Sequence, residues 1–364
     1  MEKIYVAATR QNDGKTITCI GLMAAFKKRF AKVGYIKPVG QRYQEIEGHK
    51  IDEDAVLMKE VYGIEGDIAD MSPIAIPRGF TEDYITHPRK DELVGQINRA
   101  FAGISAGKDV MLVEGTGHAG VGSVFDLSNG DVSRMLGTKV IIVSSGGIGK
   151  PIDEVMLNRA MFDQAGVQIL GVVVNKVQPE KYDKICDIVR KGFERKGLEV
   201  FGVLPYYPSL SNPNVQQLME EMNGTLLSGH RGLKNEVGRT VIGAMPPHEA
   251  LDYFSSDALL ITPGTREDLI LAAMSSCVVG AGKKNCVSGI VLTGGIQPHP
   301  NVMKLIKRTY IPVIMAPDDT FSIAAKIERL IVKIRSSDTE KIQSVEKLIE
   351  DYVDVDRIIS LMRS

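Results

Sequence analysis

Short apolar runs alternate with longer amphipathic segments through residues 1–205. Six of these runs are rich in β-branched residues and are predicted to be strands: Ile4–Ala7, Gly34–Lys37, Val110–Glu114, Val140–Ser144, Ile169–Asn175 and Val200–Leu204. Strands that are apolar throughout and separated by helices are typical of a parallel sheet with helices on both faces. The pattern therefore predicts an α/β fold with a ligand site outside the carboxyl ends of the strands.

A second α/β series follows a turn-rich joint at Pro205–Ser209 and Asn212–Asn214. Its strands are predicted at Val241–Met245, Ala258–Thr262, Gly289–Thr293 and Pro312–Ala316. Its helices are predicted at Pro247–Tyr253, Glu267–Ser276, Val302–Arg308 and Ile323–Ile334. We therefore predict a first domain over residues 1–210 and a second, smaller α/β domain over residues 211–335.

The remaining residues, 336–364, are charged, with apolar positions at helical spacing. The apolar positions of this segment include Ile342, Val345, Leu348 and Ile349. This periodicity predicts a C-terminal helical tail that packs on the body of the protein or on a second subunit.

The residues Ala8–Thr16 read Ala-Thr-Arg-Gln-Asn-Asp-Gly-Lys-Thr and lie between the first strand and an amphipathic segment, Ile17–Phe30. A strand, a loop ending in Gly-Lys-Thr and a helix form the arrangement that holds nucleotide phosphates in P-loop proteins. The predicted nucleotide-binding residues are Asp13, Gly14, Lys15 and Thr16. In this arrangement the lysine reaches the terminal phosphates and the threonine hydroxyl binds Mg²⁺.

Two details of this loop depart from the usual phosphate loop. Five residues separate Ala8 from Gly14 instead of four, and Ala8 stands where glycine is usual. Lys15 nevertheless favours a bound anion, because a cation at a helix start opposes the helix dipole. Asp13 is expected to face either solvent or the metal.

Polar residues at the ends of other predicted strands extend this site. Lys37 is either a solvated strand end or a second contact to phosphate or substrate. Glu114 precedes a glycine-rich loop that contains His118 and is predicted to bind Mg²⁺. Asn175 suits either a contact to a nucleotide base or an ordinary turn. His118 is interpreted as a loop residue in preference to a catalytic base.

Asp52 and Asp54 begin a predicted helix. Acidic residues at a helix start are ordinary capping residues, and a metal-binding role is the alternative.

Composition limits the classes of partner. Lys plus Arg number 44 and Asp plus Glu number 45, so no overall positive charge favours nucleic acid. The four cysteines share no short paired spacing, so neither a zinc site nor a disulfide framework is predicted, and reduced thiols are expected. No apolar run reaches the roughly 20 residues that cross a membrane, and no signal-peptide pattern opens the chain. A cytoplasmic protein is therefore expected.

Residues 1 to about 205 resemble dethiobiotin synthetase. The motifs that carry the resemblance occur in the family's order: the loop ending Gly14-Lys15-Thr16, Tyr35-Ile36-Lys37-Pro38-Val39, Asp54, Val113-Glu114-Gly115, Asn175 and Gly202-Val203-Leu204-Pro205. The five-residue loop spacing is also that of this family. In that family ATP and Mg²⁺ activate a carbamate carboxylate by phosphorylation, and a cyclic urea then forms.

The resemblance implies roles for individual residues. Lys15 would hold the phosphates and stabilise the transferring group, and Lys37 would contact substrate or the γ-phosphate, so both are predicted to be catalytic. Thr16, Asp54 and Glu114 would bind Mg²⁺. The same resemblance implies that Asn175 contacts the adenine of ATP.

Two departures from the family concern its substrate. Gln11 stands where the synthetase loop has a substrate-binding threonine, and Gln41 stands where a serine follows Lys-Pro-Val. Biotin synthesis itself is therefore not predicted.

The second half resembles the DRTGG domain. The matching segments are Gly229–Leu233, Val241–Met245, Thr262–Asp268 and Leu292–Gly295, although Pro-Gly-Thr-Arg-Glu-Asp replaces the motif that names the domain. The order of the two modules is similar to the N-terminal region of long bacterial phosphotransacetylases. The resemblance implies dimerisation and ligand sensing by the second domain. No acetyltransferase catalytic domain is recognised in residues 1–364, so acetyl transfer is not predicted from this likeness.

Two functional hypotheses follow. The favoured one is a regulatory Mg²⁺-ATP-binding protein that senses a metabolite and acts in acetate or phosphate metabolism as a homodimer. The alternative is an ATP-dependent enzyme, either an ATPase or a ligase that activates the carboxylate of an unidentified small acid. Neither hypothesis includes a nucleic acid or a membrane as partner.

Overall fold

The computed structural model describes residues 1–279, 286–330 and 332–364. The chain divides into two compact units. The first unit contains Met1–Tyr206 and Ile334–Ser364, and the second contains Tyr207–Lys333. The C-terminal residues are therefore part of the first unit, although they follow the second unit in the chain.

The first unit is built on a parallel six-stranded sheet. The strands of this unit are β1 (Glu2–Ala8), β2 (Val33–Ile36), β3 (Val39–Gly40), β4 (Tyr43–Ile46), β5 (His49–Asp52), β6 (Ile74–Ala75), β7 (Val110–Glu114), β8 (Lys139–Ser145), β9 (Ile169–Val177) and β10 (Glu199–Pro205). The order in the main sheet is β10-β9-β8-β1-β7-β2, with every pair parallel. This arrangement confirms the predicted fold class.

Helices cover both faces of this sheet. All five residues of β7 are buried, which requires cover on both sides because successive side chains point to opposite faces. The helices in this part of the chain are α1 (Lys15–Lys27), α2 (Glu53–Tyr62), α3 (Ile68–Met71), α4 (Phe80–Thr86), α5 (Lys90–Ser105), α6 (Asn129–Leu136), α7 (Gly149–Gln164) and α8 (Tyr182–Glu194).

Two small strand pairs, which the sequence pattern did not predict, lie between β2 and β7 in the chain. Strands β3 and β6 pair in parallel, and β4 and β5 form a hairpin. The hairpin turn uses Glu47 at φ 51° and Gly48 at φ 81°, as two-residue hairpin loops require. The hairpin ends at Asp52, directly before α2, so it leads into a segment with predicted site residues.

The second unit is a smaller α/β layer structure. Its strands are β11 (Thr225–Ser228), β12 (Arg239–Ile242), β13 (Ala258–Pro263), β14 (Gly289–Thr293) and β15 (Val313–Met315). Its helices are α9 (Pro208–Ser211), α10 (Val215–Glu221), α11 (Pro247–Ala250), α12 (Glu267–Val279), α13 (Pro300–Ile306) and α14 (Thr320–Arg329). The strand order is β11-β15-β14-β13-β12, and β11 alone is antiparallel to its neighbour.

Alternate residues of β13 enter two different apolar clusters of the second unit. Leu260 packs in one cluster, whereas Leu259 and Ile261 pack in the other. Both faces of this sheet are therefore covered, as the continuous apolar strands predict.

Two C-terminal helices, α15 (Thr339–Tyr352) and α16 (Val355–Arg363), complete the first unit. Helix α15 packs so closely on α1 that a Cβ on Gly21 would lie 2.1 Å from Cγ1 of Ile349. Arg29 pairs with Asp356 at 2.7 Å. The C-terminal helices thus pack directly on the helix that follows the predicted phosphate loop.

Some predicted details are wrong. The helix predicted at Ile323–Ile334 ends at Arg329, and Ile331, which that prediction includes, lies outside the described residues. The cysteine prediction also fails, because Cys277 and Cys286 form a disulfide. Their Cα atoms lie 4.4 Å apart because the fold brings the end of α12 close to the residues before β14, a proximity that sequence spacing does not reveal.

Candidate nucleotide-binding site

The predicted phosphate loop leaves the carboxyl end of β1 and enters α1 through Gly14. Gly14 has a φ of 106°, a left-handed conformation that glycine adopts without strain. A Cβ at this position would lie 2.0 Å from Nδ2 of Asn175, so the contact also requires glycine. Asn175 donates from this nitrogen to the carbonyl of Asp13 at 2.9 Å. The loop conformation therefore depends on the end of β9.

Helix α1 presents an N-terminus that suits an anion. Gly14 provides no side-chain cap, and the first turn contains no acidic residue. The partial positive charge of the helix start is therefore not compensated by a carboxylate of its own first turn. Backbone N–H groups at such an end bind phosphate groups in many proteins.

Lys15 is buried at the start of this helix. Its Nζ donates to the carbonyl of Gly117 at 3.0 Å, in the glycine-rich loop that follows β7. Burial lowers the pKa of Lys15, and the carboxylate of Glu114 opposes that shift. The ammonium thus lies between the phosphate loop and the loop after β7.

The structure brings together Thr16 and Glu114, the side chains predicted to bind Mg²⁺ together with Asp54. The Thr16 hydroxyl donates to Oε1 of Glu114 at 2.9 Å, and the Tyr35 hydroxyl donates to Oε2 at 2.9 Å. Glu114 is almost fully buried. Burial, and then the neighbouring charge of Asp54, raise its pKa, while Lys37 and the two hydroxyl donors act in the opposite direction.

Lys37 lies between two carboxylates just beyond the end of β2. Its Nζ is 2.9 Å from Oδ1 of Asp52 and forms a closer ion pair with Oδ2 of Asp54. Burial by itself lowers the pKa of Lys37, but Asp54, Asp52 and Glu114 outweigh it, so the pKa is raised. Lys37 is therefore a buried cation held by acids, and the alternative of a solvated strand end is wrong.

Asp52 has the capping role considered for it, and both Asp52 and Asp54 also belong to a buried cluster of charged groups. Asp52 caps α2 by accepting from the backbone N–H of Asp54 at 2.9 Å. Both carboxylates are buried and pair with Lys37. Capping therefore explains the Asp52 position but not the concentration of buried charge.

Asp13 and Asn175 are engaged within the loop itself. Asp13 is buried and accepts from the Thr9 hydroxyl at 2.6 Å, so of the two alternatives given for it the solvent-facing one is wrong. Burial raises its pKa. The Asn175 side chain contacts the Asp13 carbonyl with its amide nitrogen and accepts from the Lys176 backbone N–H with its oxygen. In this structure Asn175 thus orders the phosphate loop.

Sequence reasoning missed the side chain that orders the loop after β7. Asn129, at the start of α6, accepts from the Thr116 N–H at 3.0 Å and donates to the His118 carbonyl at 2.6 Å. Tyr5 donates to the same Asn129 oxygen at 2.6 Å. Tyr35 was also missed, although its spacing of two from Lys37 places both on one side of an extended chain. That spacing is a signal that the sequence does contain.

The donor set fits Mg²⁺ bound together with a nucleotide. Thr16, Glu114 and Asp54 offer one hydroxyl and two carboxylates, which are the hard oxygen ligands that Mg²⁺ prefers. Across residues 1–279, 286–330 and 332–364, no group of three or more His, Cys, Asp or Glu side chains is arranged to hold a metal by itself. Phosphate oxygens and water would therefore complete the coordination, as is usual for Mg²⁺ with nucleotides.

Comparison with protein families assigns both halves of the chain. A family model described as an AAA domain, AAA_26, matches residues 2–214, and one described as a DRTGG domain matches residues 217–330. The first match spans more than half of the chain. The chain belongs to the AAA_26 family. This AAA_26 chain therefore consists of a P-loop domain followed by a DRTGG domain, which confirms the predicted order of modules.

Curated relatives extend this match over nearly the whole chain. Phosphate acetyltransferase of Nitratidesulfovibrio vulgaris is 27% identical over 362 residues, which cover 96% of this chain and 50% of the relative. Phosphate acetyltransferase of Synechocystis is 23% identical and is matched over 99% of this chain and 52% of the relative. The chain thus spans about half the length of these relatives.

Solved structures similar to parts of the chain include the MinC:MinD complex of Aquifex aeolicus. It is 16% identical and covers 58% of this chain and 84% of its own, with a TM-score of 0.36. The CBS and DRTGG domains of the regulatory region of Clostridium perfringens pyrophosphatase, complexed with the activator diadenosine tetraphosphate, are 17% identical. They cover 38% of this chain and 60% of their own, with a TM-score of 0.27.

In the part of the chain that the structure describes, no helix combines the length and the apolar character that crossing a bilayer requires.

Proposed function

We propose that the first domain binds ATP together with Mg²⁺ and that the DRTGG domain makes this binding part of a regulatory function. The observation that carries the proposal is the burial of two lysines and three carboxylates at one sheet edge, next to an uncapped helix N-terminus. Buried charges are costly unless they are paired, and they concentrate at functional sites. The negative phosphates of a nucleotide would pair with the lysines, and the positive metal ion would pair with the carboxylates.

Each residue has a distinct role in this proposal. Lys15 and the N–H groups of the phosphate loop hold the β- and γ-phosphates, and Lys37 approaches the γ-phosphate from the end of β2. Thr16, Glu114 and Asp54 hold the metal. Bound Mg²⁺ neutralises charge on the phosphates and orients them. Asn175 and Gly14 keep the loop in its conformation.

The regulatory role is inferred from two observations. The AAA_26 domain and the DRTGG domain match about half the length of several phosphate acetyltransferases, so a role in acetate or phosphate metabolism is proposed from those relatives. Gln11 and Gln41 occupy positions that contact substrate in the synthetase family, and both are exposed. The exposed glutamines favour regulation over synthesis.

Calorimetry with Mg²⁺-ATP tests the first domain. Lys15→Ala should raise the Kd about 100-fold, because it removes charge-assisted hydrogen bonds to phosphate. The matched control is Lys28→Ala, since Lys28 follows the same helix but pairs with Glu350 at the surface. Undiminished binding by Lys15→Ala would contradict the assignment.

A second measurement separates regulation from synthesis. ADP release is followed with wild-type protein and Mg²⁺-ATP in the presence of individual small carboxylic acids. The regulatory proposal predicts slow hydrolysis that does not depend on the acid. Strong, saturable stimulation by one acid would instead establish the carboxylate-activating enzyme.

A further inference from the structure

Asp52 is a buried carboxylate for which the proposed nucleotide chemistry has no use. Its side chain is fully buried, and its Oδ1 lies 2.9 Å from Nζ of Lys37. The same oxygen accepts from the backbone N–H of Asp54 at 2.9 Å. One atom of Asp52 therefore contacts the proposed γ-phosphate lysine and the backbone of a proposed metal ligand.

The surroundings hold Asp52 in place. Its own backbone N–H donates to the Ser72 hydroxyl at 2.9 Å. Gly40 packs against its side chain, and a Cβ on Gly40 would lie 2.6 Å from both Cβ and Oδ2 of Asp52. Within the described residues, Oδ2 has no hydrogen-bond partner, which costs free energy in a buried carboxylate. An N-cap requires neither full burial nor an ionised group, since serine caps equally well.

The second carboxylate of Lys37 has a competing role. Asp54 forms an ion pair with Lys37 and is also a proposed ligand of Mg²⁺. When Asp54 binds the metal, the positive charge of the metal offsets the charge of the carboxylate. Asp54 then attracts the Lys37 ammonium less strongly. Lys37 then needs a second anchor to keep its position.

We propose that Asp52 is a positioning residue that holds the Lys37 ammonium at the γ-phosphate when Asp54 binds the metal. This rests on the proposed function, because the γ-phosphate contact of Lys37 is part of it. Asp52 touches neither the nucleotide nor the metal and acts through Lys37. The site therefore uses two carboxylates around one lysine because one of them is committed to Mg²⁺.

The test compares Asp52→Asn with wild-type protein in binding Mg²⁺-ATP and Mg²⁺-ADP. Asparagine keeps the shape and the N-cap acceptor but removes the charge. Only ATP has a γ-phosphate, so the Kd for Mg²⁺-ATP should rise about tenfold while the Kd for Mg²⁺-ADP changes less than about twofold. An equal fold-increase in Kd for the two nucleotides would show that Asp52 has only a structural role and would overturn the proposal.

Two controls make the result specific. Asp67 is another helix N-cap, and its side-chain oxygen likewise lies 2.9 Å from the backbone nitrogen two residues further along the chain. Asp67→Asn should leave the affinities for Mg²⁺-ATP and Mg²⁺-ADP unchanged. If Asp52→Asn does not fold, Asp52→Ser provides a smaller N-cap without charge. The changes in Kd for Mg²⁺-ATP and Mg²⁺-ADP are then compared for that variant in the same way.

A measurement without nucleotide separates this proposal from the proposed function. In ¹⁵N-lysine-labelled protein, the side-chain ammonium of Lys37 should give a signal protected from solvent exchange, because it is buried between two carboxylates. Asp52→Asn should shift or broaden that signal. An unchanged signal would refute the anchor even if ATP binds. A changed signal with no nucleotide binding would refute the proposed function and the γ-phosphate contact of Lys37 with it, but would leave the Asp52–Lys37 contact established.

Discussion

The parallel strands of the two units end in very different surroundings. At the edge of the first sheet, Lys15, Lys37, Asp52, Asp54 and Glu114 are all buried. In the second unit, the buried polar side chains among the described residues are neutral, namely Gln217, Thr262, Ser288 and Thr293. The same α/β architecture therefore contains a highly charged interior edge in one unit and an uncharged one in the other.

Among the described residues of the second unit, no charged side chain is buried, and some of these side chains form ion pairs at the surface. Arg266 pairs with Asp268 and Lys326 pairs with Asp318, with side chains between 30% and 47% exposed. Such pairs require little desolvation and contribute little to stability. The α/β architecture is common to both units, so architecture by itself does not identify a functional site, whereas the buried charge distinguishes the unit with the proposed nucleotide site.

The largest difference in stability between the two units is expected when one paired lysine is removed from each. Lys37→Met removes the buried cation that pairs with Asp52 and Asp54 and should destabilise the first unit by about 3–5 kcal/mol. Lys326→Met removes an exposed partner of Asp318 and should cost at most about 1 kcal/mol. Hydrogen exchange of β7 and β14 measures each unit separately, and similar losses in both would contradict the comparison.

The two units should also respond to pH in opposite directions through single acids. Burial, and then Asp54, raise the pKa of Glu114, so the native state holds this proton more tightly than the unfolded state. The stability contributed by Glu114 therefore falls as pH rises from the ordinary value of 4.5 through the raised pKa. Glu114→Gln should abolish this fall and stabilise the first unit at neutral pH, by about 1.4 kcal/mol for each pKa unit removed.

The matching acid of the second unit is Asp268. The hydrogen bond from Arg266 lowers its pKa, so its contribution is present above the ordinary value of 3.8 and is lost as pH falls through the lowered pKa. Asp268→Asn should therefore destabilise the second unit at pH 7 and have little effect in strong acid. Hydrogen exchange of β7 and β14 across pH measures both variants, and the same sign in both would refute the contrast.

The smallest effect concerns hydroxyl groups. Thr262 is buried, and its hydroxyl has no partner within the described residues, so Thr262→Val should stabilise the second unit by up to about 1 kcal/mol. Thr116 donates to the Val39 carbonyl, so Thr116→Val should destabilise the first unit by about 1 kcal/mol. Thermal unfolding of the two variants measures the difference, and a loss in both would mean that the Thr262 hydroxyl does have a partner.

Local sequence patterns were sufficient where a residue's role follows from its position along one element. Lys15, Thr16 and Glu114 each lie at a strand end or helix start, and parallel strands bring such ends to one edge. The structure places them together, with Thr16 bonded to Glu114. The pattern did not reveal Asn129, because its contacts to Tyr5, Thr116 and His118 come from separate parts of the chain.

The sequence by itself determined the α/β class and the position of the phosphate loop, because apolar periodicity and the strand–Gly-Lys-Thr–helix order are local properties. Tertiary structure alone decided that Cys277 meets Cys286, that α15 packs on α1 at Gly21, and that Asp52 meets Lys37. These contacts join residues whose spacing in the chain carries no periodic signal. They form because burying apolar surface and pairing buried charge select one arrangement of the elements.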